Sequence, residues 1–492
     1  MNETVTRDST HGPQLFGHPR GLLTLFLTEM WERATYYGMR AILILFMTAV
    51  VAEGGLGLDD KTASSIYGLY ISFTYLSSLW GGWVADRLIG QQRAIIYGGA
   101  LITIGNALLV VSNTGFFFVG LVVIVFGTGL LKPNISAIVA QLYPEGGSRR
   151  DAGFSIFYMG INVGAFVGQL LVPIIAAAAG WKIGFVVPAL GMLFGLWQFI
   201  VGRRHLHGAG AEAPGARTGS WPAWALVGIV AAIVVLGLTG TLEFNPVAIA
   251  VTANWAMIAL AAGYFAYLLL FAGLDRLEKG RVFVMIALFA ACAMFWAGFE
   301  QAGASFTLFA ERYTDRNLFG WEIPGGAVQG ANSLFIIIFA PIFASIWVAL
   351  GRRNMDPSAP AKFALGLIFM GVGFLVMFFA AGYVVSGEKV LPTWLLLTYL
   401  FHTFGELCLS PVGLSSMTKL APPRFVGQVM GVWFLATAIG NNLAGQFAGG
   451  IDADNLPAMP GEFLYLFWWG TIAGLVLLVL TPFIKRLMGG VK

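Results

Sequence analysis

The chain has 492 residues, of which 58% are hydrophobic and only 11% are charged, and its mean hydropathy is +0.79. Soluble proteins typically carry about 25% charged residues, so this composition excludes an ordinary soluble protein and predicts a multi-span membrane protein. The net charge of +4 gives no reason to expect a nucleic-acid partner. Cys292 and Cys408 lie in apolar segments and provide neither a disulfide framework nor metal-binding spacing, and we expect no metal and no cofactor.

Fourteen apolar segments are long enough to cross a bilayer, and polar or Gly/Pro-rich turns separate them. The polar first twenty residues have no apolar core, so we expect no cleavable signal peptide. The segments cover approximately residues 22–51, 62–86, 93–112, 115–143, 153–179, 183–201, 221–240, 246–273, 282–311, 324–350, 361–383, 391–418, 425–449 and 463–484.

The segments form two groups of six with two more between them. Phe126 and Gly127 in the fourth segment have counterparts in Phe404 and Gly405, and other pairs recur at similar spacing. Such spacing predicts a duplicated six-helix unit, as in secondary transporters that bind substrate between their halves. The predicted parts are an N-terminal tail 1–21, a six-helix bundle 22–201, a flexible linker 202–220, two inserted helices 221–273, a second six-helix bundle 281–485 and a C-terminal tail 486–492.

Lys and Arg residues are distributed unevenly between the two alternating sets of loops. Most of them lie in one set, and the opposite loops contain only Lys61, Lys182, Arg312, Arg316 and Lys389. Cytoplasmic loops carry the excess of Lys and Arg, so this alternation predicts that both termini are cytoplasmic.

The first segment carries a charged stripe where lipid would be expected. Glu29, Glu32, Arg33, Tyr36, Tyr37 and Arg40 fall within an arc of roughly 140° at the helical period of about 100° per residue. A charge at the middle of a membrane costs about 2.5–3.5 kcal/mol on the insertion scale, so four charges need partners or water. One interpretation is a self-neutralising cluster that only fixes helices together, and the other is a polar cavity.

Four further ionisable residues lie well inside the segments: Lys132, Glu300, Glu406 and His402. Cations predominate in the first half and carboxylates in the second, which favours a zwitterion as the bound molecule. The alternative is that Lys132 only neutralises the first-segment carboxylates and that His402 is an ordinary interior histidine. Two effects would act in opposite directions on a Glu300 carboxylate that faces Arg40: burial favours its protonated form, and the guanidinium favours its charged form. Protonation of Glu300 would break the pair. The polar residues Tyr36, Tyr37, Tyr75, Asn162 and Asn332 suit the same cavity, although Asn and Tyr also serve in helix packing.

Several motifs resemble those of the proton-dependent oligopeptide transporter family within the major facilitator superfamily. Glu29–Arg33 followed by Tyr36 and Tyr37 is similar to its E-x-x-E-R-F-x-Y-Y signature, although Ala34 replaces the usual Phe. The superfamily's loop motif between the second and third segments is similar to Gly81, Gly82, Asp86 and Arg87 here. The runs 129–134, 154–164, 295–301 and 405–413 resemble the family's other signatures, so the resemblance spans nearly the whole chain.

The resemblance implies a fold and a set of roles. The fold is an all-α major facilitator fold of fourteen transmembrane helices in a bacterial inner membrane. Proton coupling would involve Glu29, Glu32, Arg33, Arg40, Lys132 and Glu300. Peptide binding would involve Arg33, Tyr36, Tyr37, Arg40, Tyr75, Lys132, Asn162, Trp296, Glu300, Asn332, Glu406 and Trp433.

We therefore expect a symporter that imports di- and tripeptides with protons, as a functional monomer in the lipid bilayer. The alternatives keep the fold and change the cargo to nitrate or amino-acid derivatives, or replace transport by peptide sensing. A membrane enzyme is disfavoured because the segments contain one histidine, His402, and because no His/Cys cluster and no glycine-rich phosphate loop occur in the sequence.

Overall fold

The computed structural model describes residues 14–144, 147–211, 219–318, 320–451 and 453–490. These residues are nearly all helical. A helix satisfies every internal backbone hydrogen bond within itself, which is what long apolar segments need in a bilayer. The helices are α1 (Arg20–Thr48), α2 (Asp60–Val84), α3 (Gln91–Leu109), α4 (Thr114–Gln141), α5 (Gly147–Ala179), α6 (Trp181–Gly202), α7 (Trp221–Leu238), α8 (Pro246–Leu270), α9 (Arg276–Phe299), α10 (Ser305–Tyr313), α11 (Gly330–Arg352), α12 (Ala359–Val385), α13 (Thr393–Leu420), α14 (Val426–Ala448) and α15 (Met459–Leu487).

Two short antiparallel hairpins complete the described secondary structure. One pairs β1 (Gln14–Leu15) with β2 (His18–Pro19), and the other pairs β3 (Asn317–Leu318) with β4 (Trp321–Glu322). Within the described ranges, 10 helical segments are long and apolar enough to cross a membrane. Each predicted apolar segment corresponds to one helix, except that residues 282–311 form two, α9 and α10.

Polar residues at the ends of the helices fix where several of them begin. Asn113 and Asn245 accept backbone N–H groups at the starts of α4 and α8, and Asp275 and Glu278 form a capping box at α9. Asp59, just before α2, accepts the backbone N–H of Thr62, and this hydrogen bond holds the pKa of its carboxyl below the usual value.

The chain forms two compact units, and each unit is assembled from three separate stretches of the chain. Unit 1 comprises the described residues of Met1–Tyr37, Ser77–Gly168 and Phe185–Thr241. Unit 2 comprises Gly38–Leu76, Gln169–Gly184 and the described residues of Leu242–Lys492. The second half of α1 and the first half of α2 thus belong to the same unit as α9 and α14. The domain boundaries predicted above describe connectivity along the chain and stay a prediction.

Unit 2 contains a break between α9 and α10. Glu300–Gly303 form a single 3-10 turn, and Ala304 leaves the helical region with φ −122° and ψ −94°. Side chains compensate for the interrupted ladder of backbone hydrogen bonds. Gln301 donates to the Ala444 carbonyl at 2.9 Å, and the Ala302 carbonyl accepts the hydroxyl of Thr307 at 2.8 Å. Interrupted membrane helices commonly contribute to the binding sites of transporters.

In unit 1, α3 and α4 pack closely because glycines lie at their crossing. A Cβ at Gly127 would lie 2.8 Å from the Gly98 carbonyl oxygen and from the Ile102 backbone nitrogen. Small residues allow such close approach of helix backbones in membranes.

We predict that Gly127→Ala lowers the melting temperature of the purified protein, because the added methyl group overlaps backbone atoms that cannot move away. The expected cost is about 1–3 kcal/mol. Gly228→Ala in α7 is the matched control, since a Cβ there meets nothing within 4 Å. Equal melting temperatures for the two variants would show that the α3–α4 contact is looser than described.

Candidate functional site

The charged stripe of α1 is divided between the two units. Glu29, Glu32 and Arg33 lie in unit 1 and are at most 3% exposed, whereas Arg40 lies in unit 2. The Arg33 guanidinium is paired with both carboxylates, with Nε 3.1 Å from Glu29 Oε1, and it lies 5.2 Å from the centre of the Tyr36 ring. Tyr36 in turn packs edge-on against Tyr37. The predicted cluster is therefore a real buried ion cluster.

The hydrogen bonds of this cluster are incomplete. Both Glu32 oxygens, Glu29 Oε2 and two Arg33 nitrogens have no partner in hydrogen-bond geometry among the described residues, although the charges are close. Lys132 on α4 interacts electrostatically with Glu29. Buried charged groups without aligned hydrogen bonds are costly. The cluster therefore has unused capacity to bind a proton or a polar ligand.

In unit 2, Arg40 and Glu300 form a second buried ion pair. Arg40 also donates two hydrogen bonds to the Tyr67 hydroxyl, from Nε at 3.1 Å and from Nη2 at 2.8 Å. Glu300 begins the 3-10 turn that separates α9 from α10. The structure thus brings together the two residues predicted to face each other, and it adds a tyrosine that the sequence reasoning did not include.

Glu406 lies near Glu300 but is surrounded differently. Asn332 Nδ2 is 3.5 Å from Glu406 Oε2 and donates to the Thr403 hydroxyl at 2.9 Å. The Glu300 and Glu406 carboxylates repel each other electrostatically. In the part of the chain that the structure describes, Glu406 forms no ion pair. It is therefore a carboxylate available to an external cation.

Three of the predicted aromatic residues also lie in unit 2. Trp296 contacts the Phe295 and Phe299 rings on α9, and Trp433 on α14 packs against Phe363. Tyr75 on α2 packs partly buried against the core of unit 2. The structure therefore places Trp296, Trp433 and Tyr75 in unit 2 with Glu300, Asn332 and Glu406.

The remaining predicted residues lie in unit 1. Asn162 on α5 donates to the Tyr158 carbonyl of its own helix at 3.0 Å. Gly81 and Gly82 belong to the end of α2, and a Cβ at Gly81 would overlap the backbone of Gly129. Asp86 and Arg87 lie in the π-helical turn Ala85–Ile89, and Gln91 donates to Asp86 at 3.3 Å. The loop motif is therefore largely helical, and its first glycine serves packing.

His402 is enclosed by aromatic rings rather than by charged groups. The Phe299, Phe306 and Phe374 rings lie 5.1–6.2 Å from it, centre to centre, and its Nε2 is 3.1 Å from the Met370 carbonyl oxygen. Since a carbonyl only accepts, Nε2 carries the hydrogen. These contacts account for His402 as an interior residue of unit 2.

Another ion pair in unit 2 lies at the N-terminal end of α2. Arg312 on α10 donates to both oxygens of Asp60, at 2.5 and 2.8 Å. The sequence reasoning used Arg312 only for orientation. No group of His, Cys, Asp and Glu suited to a metal ion occurs in the described ranges.

A nearly all-helical chain with buried charges in its long apolar helices defines the class of membrane carriers. A model of the POT family matches residues 92–458. The chain is 42% identical to the peptide transporter YePEPT of Yersinia enterocolitica over 98% of this chain and 97% of that protein. It is 36% identical to the di-/tripeptide transporter of Lactococcus lactis subsp. cremoris over 97% and 98%, respectively. A crystal structure of a peptide transporter POT in complex with sulfate matches with a TM-score of 0.91 and 41% identity, covering 98% of both chains.

The chain belongs to the POT family. The predicted all-α major facilitator fold is confirmed, as is the prediction of a multi-span transporter rather than an enzyme. The roles predicted for individual residues stay predictions.

We predict that Glu300→Ala destabilises the protein by about 3–5 kcal/mol, because it leaves the buried Arg40 guanidinium without its carboxylate. Thermal unfolding in detergent measures the loss. Glu322→Ala is the control, since Glu322 also pairs with an arginine, Arg316, at 3.0 Å, but its side chain is 67% exposed. An exposed pair contributes about 0–1 kcal/mol. Similar losses of stability in both variants would show that the buried Arg40 guanidinium does not depend on the Glu300 carboxylate.

Proposed function

We propose that the chain is a proton-coupled symporter that imports di- and tripeptides by alternating access. The names of its relatives, a peptide transporter and a di-/tripeptide transporter, support peptides as the cargo. The observation that carries the proposal is Glu406, a carboxylate with an amide neighbour and no ion-pair partner among the described residues. A peptide's terminal ammonium is the complementary group.

The two ends of a peptide need opposite charges. On this proposal Glu406 and Asn332, with Asn162, receive the amino terminus, and Arg33 and Lys132 receive the carboxylate. Tyr36, Tyr37 and Tyr75 contribute hydroxyl groups, and Trp296 and Trp433 accommodate side chains. Contacts to the two termini and the backbone do not depend on side-chain identity, which suits a carrier of many different short peptides.

Proton coupling is assigned to the buried carboxylates. When Glu300 accepts a proton, it loses its charge attraction to Arg40, and the pair within unit 2 weakens. Glu29 and Glu32, whose hydrogen bonds are incomplete, are the second candidates, with Arg33 and Lys132 tuning their charge. The uneven distribution of Lys and Arg supports an orientation with both termini in the cytoplasm. We propose the plasma membrane as its location, which is the inner membrane of a bacterium. We propose the monomer as the functional unit.

Uptake into liposomes tests this function. We predict that purified protein accumulates labelled dialanine under an inward proton gradient, and that it only exchanges peptide when the pH is equal on both sides. Peptide binding without either flux would assign the chain to sensing, and accumulation of nitrate or an amino-acid derivative in place of dialanine would change the cargo.

Glu300→Gln separates coupling from transport. We predict that it abolishes gradient-driven accumulation but retains peptide exchange, because the amide cannot take up a proton and still fits the site. Glu322→Gln is the control and should accumulate dialanine normally, since its side chain is largely exposed. Unchanged accumulation by Glu300→Gln would remove Glu300 from the coupling scheme.

Glu406→Gln tests recognition of the amino terminus. We predict that the KM for dialanine exchange rises by about 10-fold or more, since a hydrogen bond to a charged group contributes about 1.5–3 kcal/mol. N-acetylated dialanine lacks the ammonium and should therefore inhibit dialanine exchange by the wild-type protein only weakly. It should inhibit exchange by the variant to the same small extent. A variant with the wild-type KM would place the amino terminus elsewhere.

A further inference from the structure

The loop motif between α2 and α3 and the connection after α6 both belong to unit 1, and the proposed function uses neither. Residues 203–211, called here the docked segment, are the first part of the predicted linker, whereas 212–218 lie outside the described residues. The docked segment begins with the 3-10 turn Arg203–Leu206. Leu206 is 1% exposed and lies in the apolar cluster that contains Ile138 of α4. The linker therefore begins as a segment packed on unit 1.

The docked segment makes two hydrogen bonds with the start of α3. The Gly210 carbonyl accepts the backbone N–H of Gln92 at 2.8 Å, and the Ala209 carbonyl accepts the Gln92 side-chain amide at 2.8 Å. The first N–H groups of a helix have no acceptor within the helix, and the residue before α3 is Gly90, which has no side chain to cap them. Gly210 therefore supplies an acceptor that the helix itself lacks.

Three further hydrogen bonds connect Gly210 with the loop motif. The Gly210 N–H donates to Gln141 Oε1 at 2.8 Å, and Gln141 Nε2 donates to Gln91 Oε1 at 2.8 Å. Gln91 Nε2 in turn donates to Asp86 Oδ1 at 3.3 Å. A backbone N–H only donates and a carboxylate only accepts, so both ends of this relay require the same orientation of the two amides. The docked segment, the end of α4 and the loop motif thus share one set of hydrogen bonds.

The close fit of the docked segment depends on glycine at position 210. Gly210 is buried and has a φ of +70°, which side-chain-bearing residues rarely adopt. A Cβ there would lie 2.7 Å from Ile138 Cγ1 and 3.1 Å from Gln91 Cβ. Gly208 has a similar φ of +86°, but a Cβ there meets nothing within 4 Å. The two glycines therefore share the backbone conformation and differ in the close contact.

The other end of the linker packs at the same motif. Ala223, in the first turn of α7, is buried in one cluster with Val84 and Ala85. Ala85 begins the π-helical turn that contains Asp86. The described residues on both sides of 212–218 therefore pack at the α2–α3 connection.

We propose that the loop motif is the docking site of the linker that follows α6, and that Gln91 and Gln141 are positioning residues that join the docked linker to Asp86. Neither glutamine belongs to the proposed peptide or proton sites. Transport by alternating access moves packed helices as bodies. A contact that joins the ends of α2, α3 and α4 should therefore affect the conformational step and not the binding of peptide. The effect on transport rests on the proposed function, whereas the docking itself does not.

Hydrogen–deuterium exchange of the purified full-length protein tests the docking. In Gly210→Ala, the backbone amides of residues 85–92 and 206–211 should exchange about fivefold faster or more, because one net hydrogen bond changes a local opening equilibrium by about that factor. Gly208→Ala is the matched control, since it introduces the same backbone strain without the close contact. Any change in this control should stay within 206–211, and residues 85–92 should exchange as in the wild-type protein.

Gln141→Met is the second test variant, because methionine has a similar length but no amide. It removes the relay and adds neither strain nor a clash at Gly210. The amides of Gly210 and of residues 85–92 should exchange faster in this variant as well.

Dialanine exchange in liposomes tests the consequence for transport. The maximal exchange rate should fall about threefold or more in Gly210→Ala and Gln141→Met, in line with the loss of about one net hydrogen bond. The Kd for dialanine, measured by titration calorimetry, should stay at the wild-type value in both. Gly208→Ala should keep both the rate and the Kd of the wild-type protein.

The outcomes separate this inference from the function. Wild-type amide exchange of residues 85–92 in both test variants, or the same acceleration there in Gly208→Ala, would overturn the docking site. Acceleration over the whole chain would mean general destabilisation and overturn the positioning role. Local acceleration with an unchanged dialanine rate would overturn the link to the conformational step. If the wild-type protein does not exchange dialanine, the proposed function fails, and amide exchange still decides the docking site. If Gly210→Ala does not fold, Gln141→Met decides by the same readings.

Discussion

The arrangement of helices in unit 2 reflects the cost of burying the Arg40 guanidinium among apolar side chains. A buried cation must be paired and hydrogen-bonded, and the chain meets this need with Glu300 and Tyr67 from two other helices. α1, α2 and the turn between α9 and α10 each contribute one residue to this cluster. The packing of these helices within unit 2 therefore depends on the charge of Glu300. A proton on Glu300 is therefore able to change a contact between helices.

The break after Phe299 gives this link its geometry. The backbone between α9 and α10 forms a 3-10 turn, Glu300–Gly303, instead of a continuous α-helix. This turn places Gly303 against the Tyr67 hydroxyl, which occupies the position that a Cβ of residue 303 would take. Gln301, Thr307 and Tyr399 supply the hydrogen bonds that keep the interrupted backbone stable. The polar residues of this region therefore differ in their contacts: some satisfy the broken backbone, whereas Glu300 and Arg40 pair with each other.

The sequence predicted the helices well because each is a long apolar run, and it identified the buried charges because ionisable residues are conspicuous in such runs. Opposite charges in the opening helices of the two halves suggested that Glu300 faces Arg40. The family resemblance grouped Asn332 and Asn162 with Glu406, and the structure places Asn332 in the same unit as Glu406 but Asn162 in the other. The sequence did not indicate the division of residues 282–311, since this stretch is largely apolar and contains no proline. It did not single out Tyr67, since a tyrosine in an apolar helix is usually a packing residue and its partners lie 27 and more residues away in the sequence. Only the folded chain shows which tyrosine contacts the guanidinium.

In the proposed mechanism, Glu300 itself takes up the proton. Infrared difference spectroscopy of the protein in lipid, recorded while the pH is lowered, detects the carbonyl band of a newly protonated carboxyl group. We predict a band that is present in the wild-type protein and absent in Glu300→Gln. A band of unchanged intensity and midpoint in Glu300→Gln would place the coupled proton on another group.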